Sequence, residues 1–123
     1  MSLRHILIAD DDRHLRESLC EILTDIGWQA TPAASGQDAI KRLEQHAYDL
    51  LLSDVDMPDM TGFQLLAWAR DHHHAEPMVL MSARADQQLS RAALSAGAFS
   101  LLPKPVHIGD LSALVNRLCP PPR

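Results

Sequence analysis

The sequence has only two cysteines among its 123 residues, Cys20 and Cys119. They lie far apart and carry neither a CxxC pair nor a His-linked metal spacing, so they read as reduced thiols of a cytosolic protein, with Cys20 a small core residue. No run of 18 or more apolar residues occurs, which excludes a membrane-spanning helix. A charged start followed by an apolar h-region is also missing, so secretion is not expected. Basic residues are the minority, 11 against 16 acids for a net charge of −5, and this balance lacks the footprint of a nucleic-acid-binding surface. The length fits one domain, 1–123, with a core over about 4–118. Such a chain buries about two-thirds of its unfolded surface and needs no metal or disulfide staple.

What the chain does contain is unevenly placed. Twelve of the 16 acids are Asp, and six of those fall in two short clusters, Asp10-Asp11-Asp12 and Asp54, Asp56, Asp59. Lysine occurs only twice, and Lys104 is bracketed by Pro103 and Pro105.

Five short apolar runs punctuate the sequence: His5 to Ala9, Trp28 to Ala33 (the weakest), Tyr48 to Ser53, Met78 to Met81 and Phe99 to Leu102. Ile6-Leu7-Ile8, Leu50-Leu51-Leu52 and Met78 to Met81 are continuous rather than alternating, as suits parallel strands covered on both faces. Helical patterns lie between them. Leu15, Leu19, Ile22, Leu23 and Ile26 repeat at helical spacing up to Gly27. Ser35-Gly36-Gln37-Asp38 reads as a capping-box start for a helix carrying Ala39, Ile40 and Leu43. Phe63, Leu66, Ala67 and Arg70 outline a third helix, and Leu89, Ala92, Ala93 and Ala96 a fourth that stops at Gly97. Asp110 reads as the cap of a fifth, which carries Leu111, Leu114, Val115 and Leu118. The alternation is (βα)5, and right-handed crossovers turn it into a doubly wound parallel sheet with helices on both faces. The residues 119–123, with Pro120-Pro121-Pro122, read as the start of a linker, and Met1-Ser2 as an added terminus.

In open sheets of this kind ligands bind outside the carboxyl ends of the strands. Asp10-Asp11-Asp12 follow the first strand, Asp54 the third, Ser82 the fourth and Lys104 the fifth. Four strand ends thus bring carboxylates, a hydroxyl and an ammonium to one edge. Clustered carboxylates raise one another's pKa unless a cation is present. Hard oxygen ligands suit Mg²⁺, while a lysine and a hydroxyl suit phosphoryl oxygens. The chemistry reads as metal-assisted phosphoryl handling.

Plainer readings compete at each position. Asp12 reads as the N-cap of the helix that starts at Arg13, and one Asp after one strand favours that role by about ten to one. Four matched strand ends reverse those odds. Ser82 alone is a turn residue, and Lys104 alone a surface lysine. Asp59, within Met57-Pro58-Asp59-Met60-Thr61-Gly62, reads as a solvated turn residue. His72-His73-His74 lies in the loop before the fourth strand, at the opposite edge, and reads as a solvated loop with incidental Zn²⁺ or Ni²⁺ binding.

The sequence resembles a response-regulator receiver domain of bacterial two-component signalling. The resemblance runs from about Arg4 to Leu118 and rests on Ile6 to Asp12, Ser53-Asp54-Val55-Asp56-Met57-Pro58 with Gly62, Met81-Ser82-Ala83, and Lys104-Pro105. It implies a flavodoxin-like three-layer sandwich with strand order 2-1-3-4-5. It implies that Asp54 is the phospho-acceptor, taking a phosphoryl group from a phosphohistidine on a histidine kinase or histidine phosphotransfer protein. Asp10 and Asp11 would bind Mg²⁺ (or Mn²⁺) with Asp54 and the main-chain carbonyl of Asp56. Ser82 would hydrogen-bond the phosphoryl group and Lys104 would pair with it, the Lys104–Pro105 bond being cis. An output domain beyond the chain, or a homodimer through the face of helix 4, strand 5 and helix 5, would read the signal. One departure stands out: Leu101 occupies the place of the family's aromatic switch residue.

Two rivals differ in class. A phosphohydrolase of the haloacid-dehalogenase type also carries a DxD after its first strand, but its later acidic pair follows the lysine, and here the other acids precede Ser82. Multiple turnover of a phosphomonoester separates the two. An unphosphorylated receiver-like interaction module is the other, and the intact set of site residues argues against it.

Overall fold

The continuous apolar runs become parallel strands because their alternate residues feed two separate cores. In the computed structural model, which describes residues 4–120, the chain runs β1 (Arg4–Ala9), α1 (Arg13–Asp25), β2 (Trp28–Ala33), α2 (Gly36–Gln45), β3 (Leu50–Asp54), α3 (Gly62–Asp71), β4 (Met78–Ser82), α4 (Gln87–Ser95), β5 (Ser100–Pro103) and α5 (Ile108–Leu118). The strands form one parallel sheet in the order β2-β1-β3-β4-β5. This is the doubly wound, three-layer flavodoxin-like arrangement that the sequence implies.

Neighbouring residues within a strand divide between the two faces. Ile6, Ile8, Leu50, Leu52, Val79 and Met81 pack with Leu19 and Leu23 of α1 and Leu111 and Val115 of α5. Leu7, Ala9, Leu51, Met78 and Leu80 pack with Ala39 and Leu43 of α2, Leu65, Leu66 and Ala69 of α3, and Ala93 of α4. Each strand is therefore apolar on both sides, which is the origin of the continuous runs. Burial of a large aliphatic side chain contributes roughly 1.5–3 kcal/mol, and the central strands supply most of those residues.

The helix ends agree with the sequence reading at some positions and differ at others. Asp12 caps α1, accepting from the Leu15 amide at 3.2 Å. Gly27 and Gly97 close α1 and α4 at φ of 98° and 100°, a left-handed conformation that glycine adopts at little cost. Ser35 caps α2, but the reciprocal bond expected of a capping box is displaced by one residue, since Asp38 accepts from Ala34 N rather than Ser35 N. A complete capping box occurs instead at α3, where Thr61 and Gln64 each accept from the other's amide. The expected cap at Asp110 is incorrect. The helix begins at Ile108, with Leu111 N already bonded to His107 O, and Asp110 falls in the first turn, where a carboxylate still favours the helix dipole.

Two strand limits also differ from expectation. Tyr48 is buried but precedes β3, and Phe99 precedes β5 while donating its amide to Met78 O. Cys20 and Cys119 are free and half-buried, and burial pushes both thiols above their usual pKa. Among the described residues no helix is long and apolar enough to cross a membrane. Met1-Ser2 and Pro121-Pro122 lie outside the described residues.

Candidate functional site

The site forms where β1, β3, β4 and β5 end side by side. Asp10 follows Ala9 directly and is fully buried, and its backbone amide bonds to Ala33 O of the neighbouring strand. Its Oδ1 accepts from Asp12 N at 2.9 Å, and its carbonyl accepts from Arg16 Nη1 at 2.7 Å. Asp54 is the last residue of β3 and is 7% exposed. One residue on, Val55 N donates to Met81 O, which carries the β3–β4 ladder into the loop. Ser82, the last residue of β4, is 1% exposed. Lys104 N donates to Ser82 O at 2.9 Å, fixing the lysine beside the end of β4. The Lys104–Pro105 bond is cis.

Lys104 Nζ reaches back across the sheet edge to Asp10 Oδ2 at 2.8 Å and to Asp54 Oδ2 at 3.2 Å. Asp11 is exposed and completes a group in which carboxylate oxygens of Asp10, Asp11 and Asp54 lie within 4.8 Å of one another. The ammonium thus pairs with two of the three carboxylates, and the group of four carries a net charge of −2 if all ionise. Burial pushes the Asp54 carboxyl above the usual range, Lys104 opposes the shift, and the Asp10 charge adds to it. Burial alone would lower the Lys104 pKa, but hydrogen bonding and charge from Asp10, with the charge of Asp54, outweigh it and raise the value. The two shifts agree: the lysine is held as a cation, and Asp54 is a carboxylate kept in a place that disfavours its charge.

A glycine permits the α3 N-terminus to approach this edge. A Cβ on Gly62 would lie 2.6 Å from Asp54 O and 2.9 Å from Leu80 Cδ2, and Gly62 N bonds to Val55 O at 2.8 Å. The Asp56 carboxylate points away from the other three and pairs with Arg84 at 3.3 Å on the exposed rim. The Ser82 hydroxyl accepts from Arg84 N at 3.0 Å, the turn role that the plainer reading assigns it.

One polar residue differs from its sequence reading, and another had none. Asp59, read as a solvated turn residue, accepts from both Gly36 N and Gln37 N at the start of α2, and these bonds hold its carboxyl below the usual range. The capping signal at Ser35 identified the helix end but not a partner more than twenty residues away. Arg16 was also missed, because its helical position carries no sign of the Asp10 carbonyl that it reaches. The histidine run lies in the loop before β4, at the opposite edge of the sheet, as expected. The His72 and His74 rings stack on Trp68, with centroids 4.2 and 5.6 Å away.

The family model for the response regulator receiver domain matches residues 6–116. The chain belongs to the response-regulator receiver domains. The receiver is 38% identical over 110 residues to the DNA-binding transcriptional regulator NtrC of Klebsiella pneumoniae, covering 89% of this chain and 24% of that protein. It is 33% identical to the response regulator protein PilR of Pseudomonas aeruginosa, covering 94% of this chain and 26% of the relative. It therefore spans about a quarter of the length of these relatives. The solved Francisella response regulator 1452 receiver domain superposes with a TM-score of 0.89 at 28% identity, over 94% of this chain and 95% of that one. This membership sets the phosphohydrolase reading aside. Receiver domains bind Mg²⁺ in an acidic pocket, and the donor set here fits that ion: all the candidate ligands are hard oxygens, and they carry an excess of negative charge.

Proposed function

We propose that Asp54 is the phospho-acceptor of this receiver, and that its modification changes contacts with a partner or an output domain. The observation that supports this is the Asp10, Asp11 and Asp54 carboxylate group held against Lys104 at the strand ends. Asp54 Oδ attacks the phosphorus of a phosphohistidine on a histidine kinase or phosphotransfer protein. The O–P bond forms as the P–N bond breaks, and the electron pair stays on the imidazole nitrogen, which takes up a proton. Lys104, kept charged by its two carboxylates, turns to the phosphoryl oxygens, and the Ser82 hydroxyl, at the end of the neighbouring strand, leaves its turn to donate to them. Asp10, Asp11, Asp54 and the Asp56 carbonyl hold Mg²⁺ or Mn²⁺, which when bound supplies positive charge against the charge developing on the phosphoryl group. The receiver catalyses its own modification and its slow reversal, and it is no enzyme acting on other substrates.

In this reading residues from about 4 to 118 act as a cytoplasmic receiver domain. The apolar side chains Leu94 of α4, Phe99 just before β5 and Ile108 of α5 are 60, 39 and 56% exposed and favour that face for partner or dimer contact. Modification adds close to two negative charges and three acceptor oxygens, which draw Ser82 and Lys104 and move the loop after β4. Leu101 is half-buried against the core beneath α4, and it has no hydroxyl to exchange partners. The population shift carried through α4, β5 and α5 is correspondingly small. The deciding experiment incubates the protein with Mg²⁺ and acetyl phosphate. One acyl phosphate is expected by intact mass, absent from Asp54→Asn, and equal labelling of that variant overturns the assignment.

A further inference from the structure

The loop that follows Asp54 is tied at its far end to a helix that plays no part in the chemistry. Val55 and Met57 anchor the near part of the loop in the core. An isolated bridge between Asp56 and Thr61 and the bond from Gly62 N to Val55 O close it into a hairpin. The tip, Pro58-Asp59-Met60, then crosses to α2. Asp59 Oδ1 accepts from Gly36 N at 3.0 Å and Oδ2 from Gln37 N at 2.8 Å. Beside it the Met60 side chain fills the space a Cβ on Gly36 would need, with Met60 Cγ 2.2 Å and Sδ 2.5 Å from that position. Helix α2 already has a local cap in Ser35, which takes Asp38 N at 3.0 Å. The two remaining amides are satisfied by one carboxylate from another segment, in a two-pronged contact that fixes position as well as distance.

We infer that Asp59 is a positioning residue for metal binding and phosphorylation, its bonds to Gly36 and Gln37 holding the hairpin so that the Asp56 main chain faces Asp54. The inference rests on the site assignment proposed above. The bond that closes the hairpin, Gly62 N to Val55 O, lies one residue from Asp54, so displacement of the hairpin changes the acceptor's own surroundings before any metal binds. Coupling of this kind is reciprocal. A metal that favours the held hairpin must also strengthen the Asp59 bonds to α2.

The test compares Asp59→Ala with Ser35→Ala. Both remove hydrogen bonds from the start of α2, but only the first frees the hairpin. In amide NMR without metal, Asp59→Ala should shift the Asp54, Val55 and Asp56 resonances, and Ser35→Ala should leave them in place. Titration with Mg²⁺ alone should give an affinity about fivefold weaker in Asp59→Ala and unchanged in Ser35→Ala, with Asp59→Asn, which retains one acceptor, in between. In the wild-type protein, saturating Mg²⁺ should slow exchange of the Gly36 and Gln37 amides. Equal metal affinity in Asp59→Ala and the parent overturns the inference, and so do unshifted Asp54 to Asp56 resonances. If the parent binds no Mg²⁺, the site assignment fails instead, and the metal-free shifts still report whether Asp59 holds the hairpin.

Discussion

At the carboxyl end of the sheet Asp10, Asp54 and Lys104 are buried or half-buried together, whereas at the amino end the charged side chains lie nearer solvent. Arg4 lies over the Trp28 ring at 4.5 Å, His5 sits against Tyr48 at 4.4 Å, and the amides of His5 and Asp49 bond across to Asp49 Oδ2 and His5 O. The same strands supply both ends with the same apolar residues. The difference is charge: at the amino end Arg4 is half-buried and Asp49 exposed, while the carboxyl end gathers three carboxylates, two of them buried, around one lysine. Charge that is buried and left uncompensated costs stability, so it marks the end of the sheet that is kept for chemistry.

The largest expected effect breaks that contrast at its centre. Lys104→Met leaves Asp10 buried without its counter-charge, and removal of one partner from a buried pair costs about 3 kcal/mol. Arg4→Ala at the other end removes partly solvated contacts, the guanidinium over Trp28 and its bonds to Asn116 Oδ1 and Cys119 O, worth together about 1–2 kcal/mol. Urea denaturation without metal at neutral pH should separate the two variants clearly, and equal losses would remove the distinction between the ends.

The next effect concerns close approach rather than charge. Gly62→Ala forces a methyl against the Asp54 carbonyl and should cost about 2 kcal/mol. Gly109→Ala meets nothing within 4 Å in the first turn of α5 and should be neutral or stabilising by up to about 1 kcal/mol. A matching loss at Gly109 would show that helix propensity, not the approach of α3 to the site, governs both positions.

The fold was legible because its determinants are local and repeated. Strands covered on both faces must be continuously apolar, and helices must carry one apolar stripe, so Leu50 to Leu52 or Leu19 and Leu23 declare themselves. The clustering of Asp10, Asp54 and Lys104 was legible for a different reason: in a doubly wound sheet every strand ends at the same edge, so the residue after each strand can be placed from its sequence position alone. The Asp59 link to α2 was not legible. It depends on two loops meeting in space, and an Asp in a turn has many local uses. The start of α5 was misjudged at Asp110 because a carboxylate suits both a cap and a first turn.

A smaller effect sharpens the contrast through pH. Burial raises the Asp54 pKa in the folded state above the ordinary carboxylate value, so the folded protein binds more protons than the unfolded chain between those two values. The carboxylate therefore subtracts stability that is regained as pH falls through the raised value. Asp54→Asn should remove that slope and raise metal-free stability at neutral pH by on the order of 1 kcal/mol. Saturating Mg²⁺ should reverse the ranking, because it stabilises only the protein that retains the carboxylate. Thermal unfolding at several pH values, with and without Mg²⁺, checks both signs, and a variant less stable than the parent without metal contradicts the account.

The smallest effect is expected at the amino end, where Tyr48 is buried and its hydroxyl has no hydrogen-bond partner among the described residues. A buried hydroxyl without a partner carries its desolvation cost with nothing to offset it. Tyr48→Phe removes only that oxygen and keeps the ring against His5. Stability should hold or rise, by no more than about 1 kcal/mol, because the ring supplies the packing and the hydroxyl supplies nothing. Phosphorylation should be unchanged, since the residue lies at the far end of β3 from Asp54. A loss above about 1 kcal/mol would mean that the hydroxyl bonds a neighbour such as Thr31 in solution, and that the amino end carries a polar network of its own. A loss of phosphorylation without loss of stability would mean that the two ends of the sheet are coupled, and the contrast between a working end and a merely structural one would fail.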